Sequence, residues 1–471
     1  MNDPTFLPAL SMAEQIRKKI ISPIDLVEAH LAKIERLNPT LNAYVHVDAD
    51  RARHAARDAE AAVMNGKSLG PLHGVPISIK SSIDVAGLRC EAGTRLRAGS
   101  VPSSDAPLVT RLKKAGAIVL GVTNTPELLM AWETDNLLYG RTNSPWDLQR
   151  TPGGSSGGEA AAIAAGMSSG GVGSDGGGSI RVPAHFSGIC GLKPTPGRIP
   201  ATRHFPPPVG ALAQIGVVGP MARTVADLKL LFEVMQGPDE GDICSAPVPL
   251  RWPGDDEVSK LRIGYFEDDG RTPVTAETRT AVRTAIVALR HAGFQVEPFR
   301  PGVLEEARLI WRKFFVTAGG MLIRPMFKGR EHDLSPILKQ FLDWSAAEVP
   351  LTADSLMEAW ARRDASRAQF LQQTQKYPIL LCPAAAIPAF RHGEREWQVE
   401  GKTVHYLDAW SYTAWFNLLG SPAAVIPVGQ SPEGLPIGVQ VVGRPWEEEQ
   451  VLAVAAALER ECGAWRPPRI S

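Results

Sequence analysis

Two short stretches of the chain gather glycine around serine: TPGGSSGG at residues 151–158 and GGVGSDGGGS at residues 170–179. Glycine loses more conformational freedom on folding than any other residue, so two such clusters need a local reason. One reading is a flexible linker. Both stretches, however, run into alanine-rich or apolar sequence (EAAAIAAGM, SIRVPAHFSGIC) rather than polar flanks. A second reading is a phosphate cradle, but neither stretch has the GxxxxGKS/T spacing or a GxGxxG turn opening a helix after a clear strand. A third is a reaction centre, where backbone N–H groups and the hydroxyls of Ser155, Ser156 and Ser179 converge on one atom. Lys80, at the end of an apolar segment, adds an amine. Taken singly these residues are ordinary. A strand-end lysine usually reaches along its stem to water, and a serine in a glycine turn usually serves the turn.

The elements that must hold these groups alternate between two periods. VPISIK places Val75, Ile77 and Ile79 on one face and Ser78 and Lys80 on the other, the period of a strand. PLVTRLKKAGAIVLGV, residues 107–122, reads as a helix closed by Gly116 and then a buried strand. KLRIGYF, a helix near residues 275–292, FQVEPF, PILLCPAAAIPAF, AAVIPVG, IGVQVVG and a helix over Glu447–Arg460 continue the alternation. This is the pattern of an α/β fold with helices covering a sheet. Residues 1–66 read as a helical segment packing on the core. Ser11 with Glu14 forms a capping box there, and Ser22–Pro23 with Asp25 forms a second helix start. Leu26, His30, Ile34 and Leu37 follow at helical spacing, Asn38–Pro39 stops that helix, and an alanine-rich third ends near Asn65–Gly66. Residues 67–302 carry the serine loops. Residues 303–376 lack strand patterns and read as a helical insertion or flap, and residues 377–471 return to the sheet.

The composition narrows the function classes. A chain of 471 residues, 44% hydrophobic, can bury a large core, and 50 basic residues balance 50 acidic ones. Zero net charge leaves no electrostatic footprint for nucleic acid or an anionic membrane. Five cysteines with no CxxC spacing argue against a disulfide framework or a zinc site and fit reduced thiols in a cytoplasmic protein. The N-terminus lacks the basic start and apolar run of a signal peptide, and no apolar run is long enough to span a bilayer. No metal and no cofactor is expected.

Read together, the motifs resemble the amidase signature family. The likeness is carried by PLHGVPISIK, by YGRTNSPWDLQRTPGGSSGGEAAAIAAG and by GSDGGGSIRVPAHFSGICGLKPT. It continues through IGVVGPMARTVADL, SPAAVIPVG and LPIGVQVVG, while residues 303–376 resemble nothing specific. The resemblance implies one large α/β domain with a central mixed β-sheet covered by helices on both faces. It implies a hydrolase of carboxylic amide C–N bonds working through a Ser–cisSer–Lys unit and an acyl-serine intermediate. By motif, Ser179 matches the nucleophile, Ser155 the bridging serine on a cis peptide bond, and Lys80 the base. Gly176, Gly177 and Gly178, with the Ser179 N–H, match the oxyanion hole. The chain departs from many relatives at Gly176, where they carry threonine or isoleucine, and at Ser81, where they carry aspartate.

The residue types suit that chemistry. A serine hydroxyl attacks a carbonyl only when a base takes its proton. Lysine can be that base only when neutral, and burial disfavours the ammonium form. A bridging serine can accept one hydrogen bond and donate another, so it can relay the proton. N–H groups converging on the developing oxyanion contribute roughly 3 kcal/mol each. Esters and carbamates form the same oxyanion, so the expected substrate is a small amide, ester or carbamate, acted on by a monomer or homodimer. Asp175 and Arg181 read as a structural ion pair and His73 as a packing residue. Trp311, Phe315 and Met326 in the insertion, with Met130 and Gly154, are the candidates for substrate contact. Two other functions compete. One is the amidotransferase component that releases ammonia from glutamine for tRNA-dependent transfer, whose SSLDQIGP-like segment is replaced here by GALAQIGVVGP. The other is a nucleotide- or phosphate-binding module.

Overall fold

The computed structural model describes residues 3–463 and 465–470. Its strands in chain order are β1 (Tyr44–Val47), β2 (Pro76–Lys80), β3 (Ile118–Thr123), β4 (Gly170–Asp175), β5 (Cys190–Lys193), β6 (Val217–Ala222), β7 (Arg262–Tyr265), β8 (Gln295–Pro298), β9 (Ile379–Pro383), β10 (Glu396–Val399), β11 (Lys402–His405), β12 (Ala423–Gln430) and β13 (Pro436–Val442). Among the described residues, 11 strands form one sheet in the order β1-β3-β2-β4-β6-β5-β12-β13-β9-β7-β8, and β10–β11 is a separate hairpin. β3, β2 and β4 run parallel, as do β9, β7 and β8, and the strands between them pair antiparallel. The sheet is therefore mixed, and the chain is a single α/β domain.

Side-chain alternation separates the two faces. Ala424 and Ile426 of β12 join one apolar cluster with Leu228, Leu231, Ile286, Leu289 and Leu458, while Val425 joins another with Ala160, Ile163 and Ala184. The first face is covered by helices Pro107–Lys114, Val225–Met235, Ala276–His291 and Glu448–Cys462. The short helices Gly157–Ala164 and Arg181–Ser187 lie on the second. β2 follows the same rule, with Ile77 and Ile79 in the first cluster and Ser78 and Lys80 turned to the helix Gly157–Ala164. Both faces of β2 are buried. Residues 303–376 contain no strand. Their helices Leu304–Arg312, Pro336–Ala347 and Ala353–Gln373 carry Ile310, Phe341 and Phe370 into an apolar cluster that also holds Trp410 and Trp415.

Several local expectations are corrected. The first helix spans Ala9–Arg17, so Ser11 lies inside it, and the N–H of Leu10 donates instead to the distant Asp227 carboxylate at 2.9 Å. The second helix does start at Ser22, whose hydroxyl accepts from the Ile24 N–H, but it runs through Pro39 to Leu41. The Asn38 side chain then caps Ala43 and Tyr44 and launches β1, an edge strand in a segment read as wholly helical. The start of the second glycine cluster is β4, at the middle of the sheet rather than in a loop.

A Cβ on Gly171 of β4 would lie 1.8 Å from the Glu159 carboxylate and 2.3 Å from the Ser78 carbonyl. Gly171→Ala should therefore destabilise the protein by roughly 1–3 kcal/mol, as overpacking of a tight core does. Denaturant unfolding checks this, and an unchanged midpoint would show that the sheet yields there freely.

Candidate active site

Lys80 ends β2 with its side chain fully buried. Its Nζ donates to the hydroxyls of Ser155 (2.7 Å), Ser156 (2.9 Å) and Ser174 (3.0 Å). Burial drives its pKa well below the ordinary 10.5, against the pull of the negative charges of Asp175 and Glu159. Glu159 sits in the first turn of the helix that follows the two serines and accepts from Ser78 (2.5 Å) and Thr123 (2.7 Å). It thereby ties that helix to β2 and β3. Burial raises its own pKa to about 7, although both hydroxyls and the Lys80 charge favour the carboxylate.

The Gly154–Ser155 peptide is cis. Ser179 lies in the turn between β4 and the helix Arg181–Ser187, and its carbonyl accepts from the Ser156 N–H at 3.1 Å. The turn is organised around the buried Asp175. Its carboxylate accepts from the N–H groups of Gly178 (2.7 Å) and Ile180 (3.0 Å), from the Arg181 guanidinium (3.0 and 3.1 Å) and from Asn417 (3.0 Å). Burial alone would raise the Asp175 pKa, but Arg181 prevails and holds it well below the ordinary carboxylate value. Arg181 is held in turn by Gln440 at 2.8 Å and Asn417 at 2.5 Å.

Gly178 has φ +121°, a backbone region that favours glycine. Its N–H is committed to Asp175, so Gly178 cannot serve an oxyanion, contrary to the expectation from sequence. The N–H groups of Gly176, Gly177 and Ser179 donate to no other described residue. The neighbouring carbonyls are fixed from outside the loop. Trp311 Nε1 donates to the Gly176 carbonyl (2.9 Å), and Trp132 Nε1 (3.0 Å) and Thr413 Oγ1 (2.9 Å) donate to that of Gly177.

Ser155, Ser174, Gly176 and Ser179 open on one pocket. Its other walls are largely apolar: Leu128, Leu129 and Met130, the proline run Pro206–Pro208, and Leu212, Ile215, Val217, Val218 and Phe315. His204 also lines it. Nδ1 of His204 lies 2.8 Å from the Pro206 carbonyl, which can only accept, so that nitrogen carries the proton and Nε2 accepts from Ser82 at 3.2 Å. Burial lowers the His204 pKa to about 4.

Of the residues proposed for substrate contact, Met130 and Phe315 line this pocket. Trp311, Met326 and Gly154 do not. Trp311 is turned to the glycine loop, Met326 is 39% exposed at the surface, and Gly154 packs against the backbone of residues 131–133. Helical spacing located the insertion's apolar residues but not the face each would occupy. His73 bonds the Ala59 carbonyl at 2.9 Å, away from the serines. Ser174 and Glu159 are not singled out in the sequence, and Ser156 is named there only as part of the cluster, with no role at the lysine. The doubled serine of GGSSGG and the acid directly after it were visible signals, whereas Ser174 needed the β2–β4 pairing. Among the described residues no group of three or more His, Cys, Asp or Glu is placed to hold a metal ion, and no helix is long and apolar enough to cross a membrane.

A buried lysine thus lies among serine hydroxyls on a mixed sheet, beside a glycine turn whose Gly176, Gly177 and Ser179 N–H groups meet no acceptor among the described residues. The chain belongs to the amidase family, whose model matches residues 25–452. It is 35% identical to an indoleacetamide hydrolase of Bradyrhizobium diazoefficiens, over 97% of this chain and 86% of that protein. It is 36% identical to one component of the glutamyl-tRNA(Gln) amidotransferase of Chloroflexus aurantiacus, over 93% of both chains. Its fold superimposes on the crystal structure of a bacterial aryl acylamidase with a TM-score of 0.85, at 27% identity over 97% of this chain and 96% of that one. The chain is an amidohydrolase acting on amide C–N bonds.

Asp175→Ala should destabilise the protein by roughly 3–5 kcal/mol, because it strands the fully buried Arg181 charge. Thermal or denaturant melting checks it, and a loss under about 1 kcal/mol would mean that Gln440 and Asn417 suffice for Arg181.

Proposed function

We propose that the protein hydrolyses amides with an apolar acyl group, such as an arylacetamide, through an acyl-Ser179 intermediate. The observation that carries the reading is the fully buried Lys80 amine, 2.7 Å from the Ser155 hydroxyl, with Ser155 and Ser179 opening on one apolar pocket. Ser179 Oγ attacks the carbonyl carbon. Its proton passes to Ser155 Oγ as the Ser155 proton passes to neutral Lys80 Nζ. The carbonyl π pair moves to oxygen, and the oxyanion takes hydrogen bonds from the free N–H groups of Gly176, Gly177 and Ser179. The tetrahedral intermediate expels the amine, which takes the proton returned along the same path. Water then attacks the acyl-serine by the same steps and releases the carboxylic acid. No hydrogen bond joins the Ser155 and Ser179 hydroxyls among the described residues. That link forms with substrate bound, by rotation about the Ser179 Cα–Cβ bond, as proton paths often tighten in the reactive complex.

The pocket favours this substrate class over free glutamine. Its lining holds no lysine or arginine to meet an α-carboxylate. The relative named for indoleacetamide supports an arylacetyl group at the same place. Esters and carbamates of similar shape should also acylate Ser179, since they generate the same oxyanion.

Ser179→Ala should abolish turnover of phenylacetamide with the fold unchanged, and a fluorophosphonate should label Ser179. Label on another residue, with activity retained in the variant, would overturn the reading. A panel of phenylacetamide, acetamide and free glutamine should give the highest kcat/KM for phenylacetamide. Glutamine ranking first would make the chain an amidotransferase-type glutaminase.

The rate should rise with pH as Lys80 loses its proton. Because burial lowers its pKa, the rising limb should fall below the ordinary lysine value of 10.5. A limb at the free-lysine value would mean a solvated amine. Lys80→Met should remove both the limb and most of the rate.

A further inference from the structure

The insertion packs against the glycine loop and makes one hydrogen bond to it, from Trp311 to the Gly176 carbonyl. We propose that Trp311 is a positioning residue for the oxyanion: its indole N–H, bonded to the Gly176 carbonyl, sets the Gly176–Gly177 peptide so that the Gly177 N–H is held toward the reacting carbonyl oxygen. The inference rests on the acyl-Ser179 reading above and adds a residue to it.

A trans-planar peptide points its C=O and N–H in opposite directions. The indole 2.9 Å from the Gly176 carbonyl thus fixes the Gly177 N–H on the side away from Trp311, where no described residue accepts it. The next peptide shows the same logic completed. Trp132 and Thr413 hold the Gly177 carbonyl, and the Gly178 N–H on the other side meets Asp175. Two consecutive peptides are held by their carbonyls, one with its N–H bonded inside the fold and one with its N–H left free.

Packing holds the clamp in place. Trp311 is 2% exposed and stacks on Phe315 with ring centroids 4.7 Å apart and planes 12° apart. Trp132 lies 6.1 Å from Trp311 on the loop side. The π-helical stretch Lys313–Ala318 begins two residues after Trp311, and such widened turns recur at functional sites. The loop has given up its side chains to admit these rings. A Cβ on Gly177 would lie 2.4 Å from the Trp311 six-membered ring, and one on Gly176 would lie 3.1 Å from Phe315. The glycine at 176, a departure from the family resemblance, is thus matched to this aromatic pair.

The test compares the parent enzyme with Trp311→Phe and with a chain carrying a benzothiophene in place of the indole at residue 311, which keeps the shape and loses only the N–H. Phenylacetamide kinetics, inhibition by benzyl trifluoromethyl ketone and inhibition by phenylacetate are measured on each. The ketone forms a tetrahedral oxyanion on the serine, and phenylacetate only occupies the pocket. Both altered chains should lose on the order of tenfold in kcat, with KM within about twofold, since a misdirected donor loses part of the hundredfold or more that a deleted donor costs. Ketone affinity should fall by the same factor as kcat, with phenylacetate unaffected. Unchanged kcat and ketone affinity in the benzothiophene chain overturn the proposal. A rise in KM and loss of phenylacetate affinity alone also overturn it, making Trp311 a support of the pocket wall. Failure of the underlying reading is separate, because it would appear as ketone inhibition that survives Ser179→Ala.

Discussion

The structure is built around an amine withdrawn from bulk solvent. Lys80 stands at the end of an inner strand of an eleven-stranded sheet, covered on both faces. An ammonium ion there loses several kcal/mol of hydration that isolated neutral dipoles do not restore, and the neutral amine loses far less. The fold answers with three serine hydroxyls and two carboxylates that are near but not in contact. Each hydroxyl needs its own support. Ser174 reaches the amine because β4 lies beside β2, and Ser155 and Ser156 because the helix Gly157–Ala164 is bolted down by Glu159. The burial that makes the lysine hard to accommodate also lowers its pKa well below the ordinary lysine value and so makes it a base, so the two properties cannot be separated by mutation.

The glycine turn poses the complementary problem of keeping backbone N–H groups free inside a packed protein. Buried donors normally find acceptors. Asp175 takes those of Gly178 and Ile180, and the loop curls round its carboxylate as a result. The charge on Asp175 is balanced chiefly by Arg181, and Arg181 is held in turn by Asn417 and Gln440. Parts of the chain from residue 80 to residue 440 therefore meet around one centre, which explains why it requires the whole domain.

What the sequence made legible follows from this distribution. Lys80 and its neighbours could be assigned to one face of β2 because strand alternation is a local property and survived burial on both faces. The Ser22 cap was legible for the same reason, since donor and acceptor lie within one turn. Ser11 misled because the helix begins two residues before it, at Ala9, where the first-turn Leu10 N–H is satisfied by Asp227, more than two hundred residues away. The run GGVGSD has Val172 as its one strand-forming residue, and it becomes β4 because glycine lets Glu159 and the β2 backbone come close. Trp311 and Met326 carried the same signal in the insertion, an apolar side chain at helical spacing. Only tertiary packing decided that one would clamp the loop and the other meet solvent.

The same packing relocates substrate selection. The apolar wall facing Ser179 comes mainly from residues 204–218, a strap that holds the short 3-10 helix Gly210–Gln214 and runs into β6, with Phe315 the one contribution of the insertion. The strap is fastened at both ends. The Ser82 carbonyl accepts from the Phe205 N–H at 2.7 Å and the Arg203 carbonyl from the Asp84 N–H at 3.1 Å, while Gln214 accepts from Arg363 of the insertion at 3.0 Å. Ser82 lies two residues beyond Lys80, so the strap is registered to the base and not merely to the surface. Selection of the acyl group and activation of the serine are thereby referred to one strand end. The insertion, by contrast, is hydrogen-bonded to the strap through a single arginine and to the glycine loop through a single indole. A change of acyl preference is most directly made in the strap, where side chains touch the substrate space without touching the three serines. A change in Trp311 acts on every substrate alike, because the oxygen it indirectly serves is common to all of them.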